Sequence, residues 1–364
     1  MMESAPDPVL FKITAGMLTR ALARLRRVLG WLTLAYVAGL LIAMIALEWW
    51  GERLWVFSLL LYAPAQTLLL PLLVLTPLCL LVRWRLCLWH LACVLAVAFG
   101  YMTFSVSGSS RRDERAFSAV TFNYGESNRP QFAAFIEREK PDIILLQDAR
   151  NRGPEFAAKM PGTFVAGQGE FVCVSRFPIQ KSALLTEPKW AGHPVAARFE
   201  VLVKDRVLVF YSVHLPTPRR ELSRFLGGRR VLGDLVGRRH REPGFGNYSE
   251  WIDQRIALAR ALAKVFQEEK QPFIVAGDFN TPDHGLIYHL FACEMGDAFD
   301  EAGRGWGMTF PGRTRNPLTG FGPWLRLDYF FTGRGWRAVE CRPEPGTKSQ
   351  HKAVFARFEP LPEK

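Results

Sequence analysis

With 364 residues, 49% of them apolar, the chain has room for one sizeable domain and something smaller. Its six cysteines exclude a disulfide scaffold and a cysteine zinc site: Cys79, Cys87 and Cys93 lie in apolar runs, while Cys173, Cys293 and Cys341 are an odd, scattered set without ligand spacing. The formal net charge of +12 fits any anionic partner and singles out none.

Residues 1–28 form a basic segment, expected in the cytoplasm, in which Lys12, Arg20, Arg24, Arg26 and Arg27 precede the first apolar run. From Trp31 to Val106 nearly every residue is apolar, and the few charges fall in two clusters that read as turns: Glu48, Glu52 and Arg53, then Arg83 and Arg85. A hydrocarbon core needs about 20 apolar residues per helix. Residues 29–107 therefore read as an all-α transmembrane region with about three helices, over Leu29–Leu47, Leu54–Leu81 and Leu86–Val106. The middle span is long and holds Pro64, Pro71 and Pro77, so a re-entrant hairpin is its alternative. The run far exceeds the apolar core of a signal peptide, about 7–15 residues, and no cleavable leader is expected. Basic residues mark the cytoplasmic side. Those before the first span and between the second and third place the C-terminal domain outside the cytoplasm, and Arg111, Arg112 and Arg115 are the opposing sign, partly balanced by Asp113 and Glu114.

Residues 108–115 are a polar linker, after which the pattern changes to short strand-like blocks separated by Gly, Pro and charged residues. Ala116–Asn123 predicts a strand, Gln131–Glu139 a helix, and Asp142–Leu146 a buried strand with a polar tip. Phe171–Ser175, Val195–Val203 and Val207–His214 follow as strands. Between Arg219 and Arg241 a loop or broken helix carries Arg219, Arg220, Arg224, Arg229, Arg230, Arg238, Arg239 and Arg241. Such a run usually means a solvated face; beside a membrane tether it also suits anionic headgroups or phosphate-bearing substrates. Tyr248–Glu269 has the helical period through Trp251, Ile252, Ile256, Leu258, Ala259, Leu262 and Phe266. Phe273–Ala276, Leu327–Thr332 and Ala353–Phe358 complete the strands.

Polar residues recur where these strands end: Asn123, Asp148, His214, Asp278 with Asn280, Asp328, and finally His351. Singly each is ordinary, since an Asn or Asp at a strand end is most often a turn or a cap. As a series they supply oxygen ligands for a hard cation, an amide and two imidazoles, a set suited to hydrolysing a phosphate ester. The most specific stretch is Phe273-Ile-Val-Ala-Gly-Asp-Phe-Asn280-Thr-Pro. Around it stand Thr121-Phe-Asn123, Pro141-Asp-Ile-Ile-Leu-Leu-Gln-Asp148, Ser175-Arg-Phe-Pro-Ile179, Val213-His214-Leu, Arg326-Leu-Asp328-Tyr and Ser349-Gln-His351. On these residues the chain after Ala116 resembles the endonuclease/exonuclease/phosphatase superfamily, which includes deoxyribonuclease I, abasic-site endonucleases, neutral sphingomyelinases and inositol-polyphosphate phosphatases.

The resemblance implies that residues 116–364 fold as a four-layer α/β sandwich, two packed mixed β-sheets flanked by helices. It implies that Asn123 and Asp148 hold the catalytic Mg²⁺ (or Mn²⁺); the family usually has Glu where Asp148 stands, and Asp shortens the reach by about 1.5 Å. Asp278 matches the acid that orients or deprotonates the attacking water, and Asn280 the amide on the scissile phosphate. His351 matches the histidine facing that phosphate, Asp328 the carboxylate that fixes its tautomer, and His214 a histidine on the phosphate oxygens. Gln350 stands where the family usually has Asp, and can ligate the metal only through a neutral amide oxygen. His193, in Gly-His-Pro, lies where deoxyribonuclease I has a phosphate-contacting Arg, against the plainer reading of a turn histidine. Glu170 is a candidate partner for His214.

The expected function is a membrane-anchored, metal-dependent phosphoesterase that hydrolyses phosphate ester or pyrophosphate bonds by in-line attack of water. A lipid-linked substrate is favoured because a tethered domain meets the phosphates of the bilayer at high local concentration. The arrangement also resembles membrane-anchored superfamily members linked to glycopeptide resistance, for which the family implies a polyprenyl-pyrophosphate or related lipid phosphate. The expected place is the extracytoplasmic face of a bacterial inner membrane. One alternative is a nuclease whose Arg-rich run grips the nucleic-acid backbone, although only Phe225 and Phe245 accompany that run for base stacking. The other is a phosphate-binding pseudoenzyme, suggested by Asp148 and Gln350.

Overall fold

The computed structural model describes residues 8–107, 114–125, 129–219, 221–222, 248–313, 317–346 and 348–361. Of the Arg-rich run only Arg219, Glu221 and Leu222 lie within the described residues. The chain forms two compact units: one holds the chain up to Ala46 with Ala65–Met102, the other Leu47–Pro64 with Thr103–Lys364.

In the first unit, helix α1 (Pro8–Trp50) supplies all but its last turn. Three helical stretches are long and apolar enough to cross a membrane: Met17–Trp50, Ala65–Val82 and Trp84–Tyr101. Large apolar side chains on them are exposed, Trp31 at 71% and Leu81 at 85%, as a lipid-facing surface requires. Polar side chains tie them together from within: the hydroxyls of Thr33 and Thr76 bracket the buried His90 ring at 3.2 and 3.0 Å. The middle span starts later than hydropathy suggests. Trp55–Leu61 forms a separate helix, α2, within the second unit, because Pro64 has no N–H to continue it and disfavours helix at the residue before it.

The second unit contains β1 (Phe117–Asn123), β2 (Ile143–Gln147), β3 (Phe164–Gln168), β4 (Phe171–Ser175), β5 (Ile179–Leu184), β6 (Lys189–Trp190), β7 (His193–Pro194), β8 (Ala196–Val203), β9 (Arg206–His214), β10 (Phe273–Asp278), β11 (Gly296–Asp297), β12 (Asp328–Thr332), β13 (Trp336–Pro343) and β14 (Val354–Pro360). They build two six-stranded sheets, ordered β13-β14-β1-β2-β4-β3 and β11-β12-β10-β9-β8-β5. Both sheets are mixed: β1 runs parallel to β2 and β9 to β10, with antiparallel pairs around them. Helices Arg129–Glu139 and Gly153–Lys159 cover the first sheet, and Tyr248–Glu268 and Leu286–Ala292 the second. The unit is thus the expected four-layer α/β sandwich.

Period-two alternation sorts the central strands. In β1, Phe117 and Ala119 enter the core between the sheets while Val120 and Phe122 face the helices; in β10, Ile274 and Ala276 face inward and Val275 outward. Each buried Phe, Leu or Ile there contributes about 1.5–3 kcal/mol. Continued to the strand ends, the same parity turns Asn123, Gln147, His214, Asp278 and Asp328 towards the space between the sheets. Register then sets them side by side: Asn123 opposite Gln147, and Asp278 opposite His214 on one side and Asp328 on the other.

Candidate active site

Asp278 is the centre of this cluster. Gly277 before it has φ +145°, and a Cβ there would stand 1.9 Å from the Val213 carbonyl oxygen, so only glycine lets β10 approach β9 this closely. The Asp278 carboxylate is fully buried and takes three donors: the Asn280 N–H on Oδ1 at 2.9 Å, and on Oδ2 the side-chain amides of Asn123 at 2.9 Å and Asn280 at 3.2 Å. Asn280 is left-handed, φ +48°, and its amide also donates to the Leu215 carbonyl at 2.9 Å. A buried Gln147 forms the floor, crossing between the sheets to donate to Ser212 Oγ at 2.8 Å.

Two imidazoles face the carboxylate. His351 Nε2 lies 3.6 Å and His214 Nε2 3.8 Å from Asp278 Oδ2. On its other side His351 Nδ1 meets both Asp328 oxygens at 3.2 and 3.0 Å, which fixes the ring and sets the tautomer. Burial pushes the Asp328 carboxyl up, the Asp278 charge adds to this, and His351 opposes it. Thr309 Oγ1 accepts the N–H of Leu327 and Asp328 at 3.0 and 3.3 Å and holds the start of β12. His214 Nδ1 meets Glu170 Oε1 at 3.0 Å. Burial alone would lower the His214 pKa, but the Glu170 hydrogen bond and then the Asp278 charge overcome it, so the ring is held above its ordinary value.

Ligand atoms of Asp278, Asp328 and His351 come within 4.8 Å of one another. These groups already bind each other and Asn123, so the donor set for a cation has to be sought beside them. Asn123 Oδ1 accepts the Gly125 N–H at 3.2 Å, and the Asp148 carboxylate fills the space that a Cβ on Gly125 would take, its Oδ2 only 1.7 Å from that position. Oxygens of Asn123 and Asp148 thus both lie beside Gly125. Asp148 is exposed and left-handed, φ +49°. Such an oxygen pair fits a Mg²⁺-type ion, which keeps several waters and takes one or two carboxylates. Gln350 is engaged elsewhere: its Oε1 accepts from Arg219 Nη2 at 3.2 Å. The Arg219 guanidinium lies 5.6 Å over the Phe310 ring, whose centroid in turn is 4.7 Å from that of the tilted His351 ring. His193 stands exposed in β7 opposite Trp190. A groove of about 780 Å³ has walls that include Arg150, Pro154, Val165, Gly169, Leu184 and Pro194.

Three groups near the site carry no sequence signal. Gln147 reads as a buried strand residue, Arg255 as the solvated face of an amphipathic helix, and Tyr62 as part of an apolar run. Arg255 is fully buried and donates to the Pro216 carbonyl at 3.1 Å and to that of Asn280 at 2.5 Å. Tyr62 donates its hydroxyl hydrogen to the same Asn280 carbonyl at 2.8 Å.

A family model described as "Endonuclease/Exonuclease/phosphatase family" matches residues 103–351. Similar solved structures include a 3′ phosphatase from Neisseria bound to a product DNA hairpin, with 16% identity and a TM-score of 0.45 over 67% of this chain and 99% of that one. A 3′–5′ exonuclease from Neisseria meningitidis has 16% identity and a TM-score of 0.45 over 66% of this chain and 99% of its own. An endonuclease/exonuclease/phosphatase family protein from Bacteroides thetaiotaomicron has 14% identity and a TM-score of 0.46 over 68% of this chain and 98% of its own. No curated protein matches the chain.

Proposed function

Because the chain belongs to the endonuclease/exonuclease/phosphatase family, we propose that it is a membrane-anchored hydrolase that cleaves phosphate ester or pyrophosphate bonds of a lipid-linked substrate with Mg²⁺ or Mn²⁺. The observation that carries this reading is the convergence of His351 Nε2, His214 Nε2 and the Asn123 and Asn280 amides on the Asp278 carboxylate. A proton acceptor surrounded by donors is what hydrolysis of an anion needs.

In the proposed reaction, a water gives its proton to Asp278 while its oxygen bonds to phosphorus, and the leaving oxygen departs in line with the electron pair of the broken bond. Positioned proton transfer contributes about 100- to 10,000-fold. The His351 and His214 rings meet the negative charge that grows on the phosphate oxygens, Asp328 holds the His351 ring for that task, and the Asn280 amide joins them by exchanging its 3.2 Å bond to Asp278 for one to the phosphate. Asn123 and Asp148 would hold the cation, which when bound supplies Lewis-acid charge to the phosphate.

The lipid preference rests on the anchor. Three stretches have the length and apolarity of membrane spans, and a tethered domain meets bilayer phosphates at high effective concentration. Leu47–Pro64 shares a compact unit with Thr103–Lys364, which supports placing the loop between the first two spans on the same face as the catalytic residues. An odd number of spans does the same. With the basic N-terminus inside, that face is extracytoplasmic.

The test is phosphate release from polyprenyl pyrophosphate by the full chain in micelles, run beside cleavage of plasmid DNA at equal Mg²⁺. Turnover of the lipid, lost with EDTA and with Asp278→Ala, is expected. Turnover of DNA alone would replace the lipid reading with a nuclease, and turnover of neither would leave a binding protein.

A further inference from the structure

The catalytic unit is not made from the C-terminal segment alone. The loop between the first two spans docks on it through a set of hydrogen bonds. The buried Glu52 carboxylate accepts the N–H groups of Leu286 and Ile287 at 2.8 and 3.1 Å. This is possible because Gly285, with φ +108°, has no Cβ to meet that carboxylate. Tyr248 donates to the Glu52 carbonyl at 2.7 Å, and Trp324 Nε1 donates to the Tyr62 carbonyl at 3.3 Å.

So anchored, the loop delivers the Tyr62 hydroxyl to the Asn280 carbonyl at 2.8 Å, and Arg255 Nη1 donates to that hydroxyl at 3.1 Å. Arg255 also staples the turn after His214 to the turn after Asp278, by donating to Pro216 on one side and to Phe279 and Asn280 on the other. Asn280 is therefore pinned at both ends: its carbonyl by Tyr62 and Arg255, its side-chain amide by Leu215 and Asp278. It holds a left-handed φ of +48°, a conformation sparsely populated outside glycine that persists where its surroundings over-determine it.

We propose that Tyr62 and Arg255 are positioning residues for Asn280, which makes the loop between the first two spans a working part of the active site. The inference rests on the phosphoesterase reading of Asn280. Freed of the two donors, the Asn280 carbonyl turns about its own backbone dihedrals and carries the side-chain amide with it. A displacement of about 1 Å at a catalytic group lowers turnover by up to about 100-fold.

The experiment uses the full chain in detergent micelles with Mg²⁺ and bis-p-nitrophenyl phosphate, comparing Tyr62→Phe, Arg255→Lys and, as a docking control, Glu52→Gln. The Glu52 carboxylate accepts the N–H groups of Leu286 and Ile287 and acts on Arg255 through its charge rather than a hydrogen bond, so Glu52→Gln is expected to lower the melting temperature and leave kcat within about 2-fold. Tyr62→Phe keeps the ring and is expected to lower kcat by about 10-fold, with KM nearly unchanged and a smaller melting shift than Glu52→Gln. A second readout is independent of turnover: with ¹⁵N-asparagine labelling, the Asn280 side-chain amide signal, identified by its loss in Asn280→Ala, is expected to move in Tyr62→Phe and Arg255→Lys and to stay in Glu52→Gln.

An unmoved signal with wild-type kcat in Tyr62→Phe overturns the inference and leaves the phosphoesterase reading standing. A wild-type chain without metal-dependent hydrolysis, but with the Asn280 signal displaced in both variants, removes the phosphoesterase reading and retains the pinning of Asn280. Loss of kcat in Glu52→Gln equal to that in Tyr62→Phe reduces the role of Tyr62 to docking and overturns the inference.

Discussion

Replacing Asp278 with Asn changes almost no volume, yet the hydrogen bonds around it make the change severe. The carboxylate is met by three donors, one on Oδ1 and two on Oδ2, at 2.9, 2.9 and 3.2 Å. Asparagine offers one acceptor and one donor, so either orientation sets N–H against N–H. With its oxygen towards the Asn280 N–H, it leaves Asn123 Nδ2, in a residue only 6% exposed, without an acceptor. A buried donor left unpaired costs about 1–3 kcal/mol, which for a domain of this size is about 2–12 °C in Tm. Activity falls further, by about 100- to 10,000-fold in kcat, because the proton acceptor is gone. Pairing Asp278→Asn with Asn123→Asp reverses donor and acceptor across their contact, and is expected to recover part of the Tm and none of the kcat. Thermal unfolding followed by near-UV circular dichroism, beside Mg²⁺-dependent release of p-nitrophenol, reads both effects. Wild-type kcat in Asp278→Asn would end the assignment of Asp278 as base. A double variant melting below the single one would refute the hydrogen-bond reasoning.

Glu170→Gln removes the main group that raises the His214 pKa. A protonated His214 is present below its raised folded pKa and is lost as pH rises through it, so the alkaline limb of kcat/KM is expected at lower pH in the variant; a pH profile with an unmoved limb excludes His214 from the reaction. The same sign applies to folding: the His214–Glu170 pair stabilises fully below the unfolded histidine value, about 6.5, and less as pH passes the folded one. Gln350→Asp places a carboxylate where the amide now meets Arg219 at 3.2 Å, and is expected to tighten Mn²⁺ binding by about 10-fold in calorimetric titration; unchanged affinity would show that this position does not reach the cation. Arg326, 2% exposed, pairs with both Asp297 oxygens at 2.8 and 2.7 Å and with Asp283 at 3.4 Å. Arg326→Leu leaves two buried carboxylates uncompensated and is expected to destabilise the unit by about 3–5 kcal/mol in chemical unfolding; a loss under 1 kcal/mol, roughly the worth of a surface ion pair, contradicts it.

Much of the site was legible because strand parity is a local property. Asn123, His214 and Asp278 end strands, and Asp328 begins one, whose inward residues are fixed by the apolar alternation beside them, so their side chains turn between the sheets. Glu170 was recognisable as a partner of His214 by type alone; its register had to come from the sheet. What stayed hidden depends on contacts across long stretches of chain. Tyr62 meets Asn280 across 218 positions and sits in an apolar run, where hydropathy records composition and not the partner of a hydroxyl. Arg255 has the spacing of a solvated helix position, but its guanidinium turns back onto carbonyls of the turns after His214 and Asp278. The middle span shows the same limit. Leu54–Leu81 is uniformly apolar, and the break at Pro64 assigns Trp55–Leu61 to the catalytic unit instead.

The two sides of the site differ in how firmly they are built, and the difference bears on what the cation does. Asp278, Asn280, Asp328 and His351 are buried and bonded to one another, so their positions do not depend on a ligand. Asp148 is exposed on a left-handed turn, and Gln350 faces an arginine where the family resemblance leads one to expect a carboxylate. Replacing Asp by Gln removes one negative charge from that corner, and Arg219 adds a positive one. On the proposed reading a cation would be held less tightly there and an anionic phosphate attracted more, with a larger share of the positive charge coming from His214, whose pKa is raised, and from Arg219. On this balance Gln350→Asp should exchange one source of charge for the other, strengthening metal binding and weakening phosphate binding in the same protein.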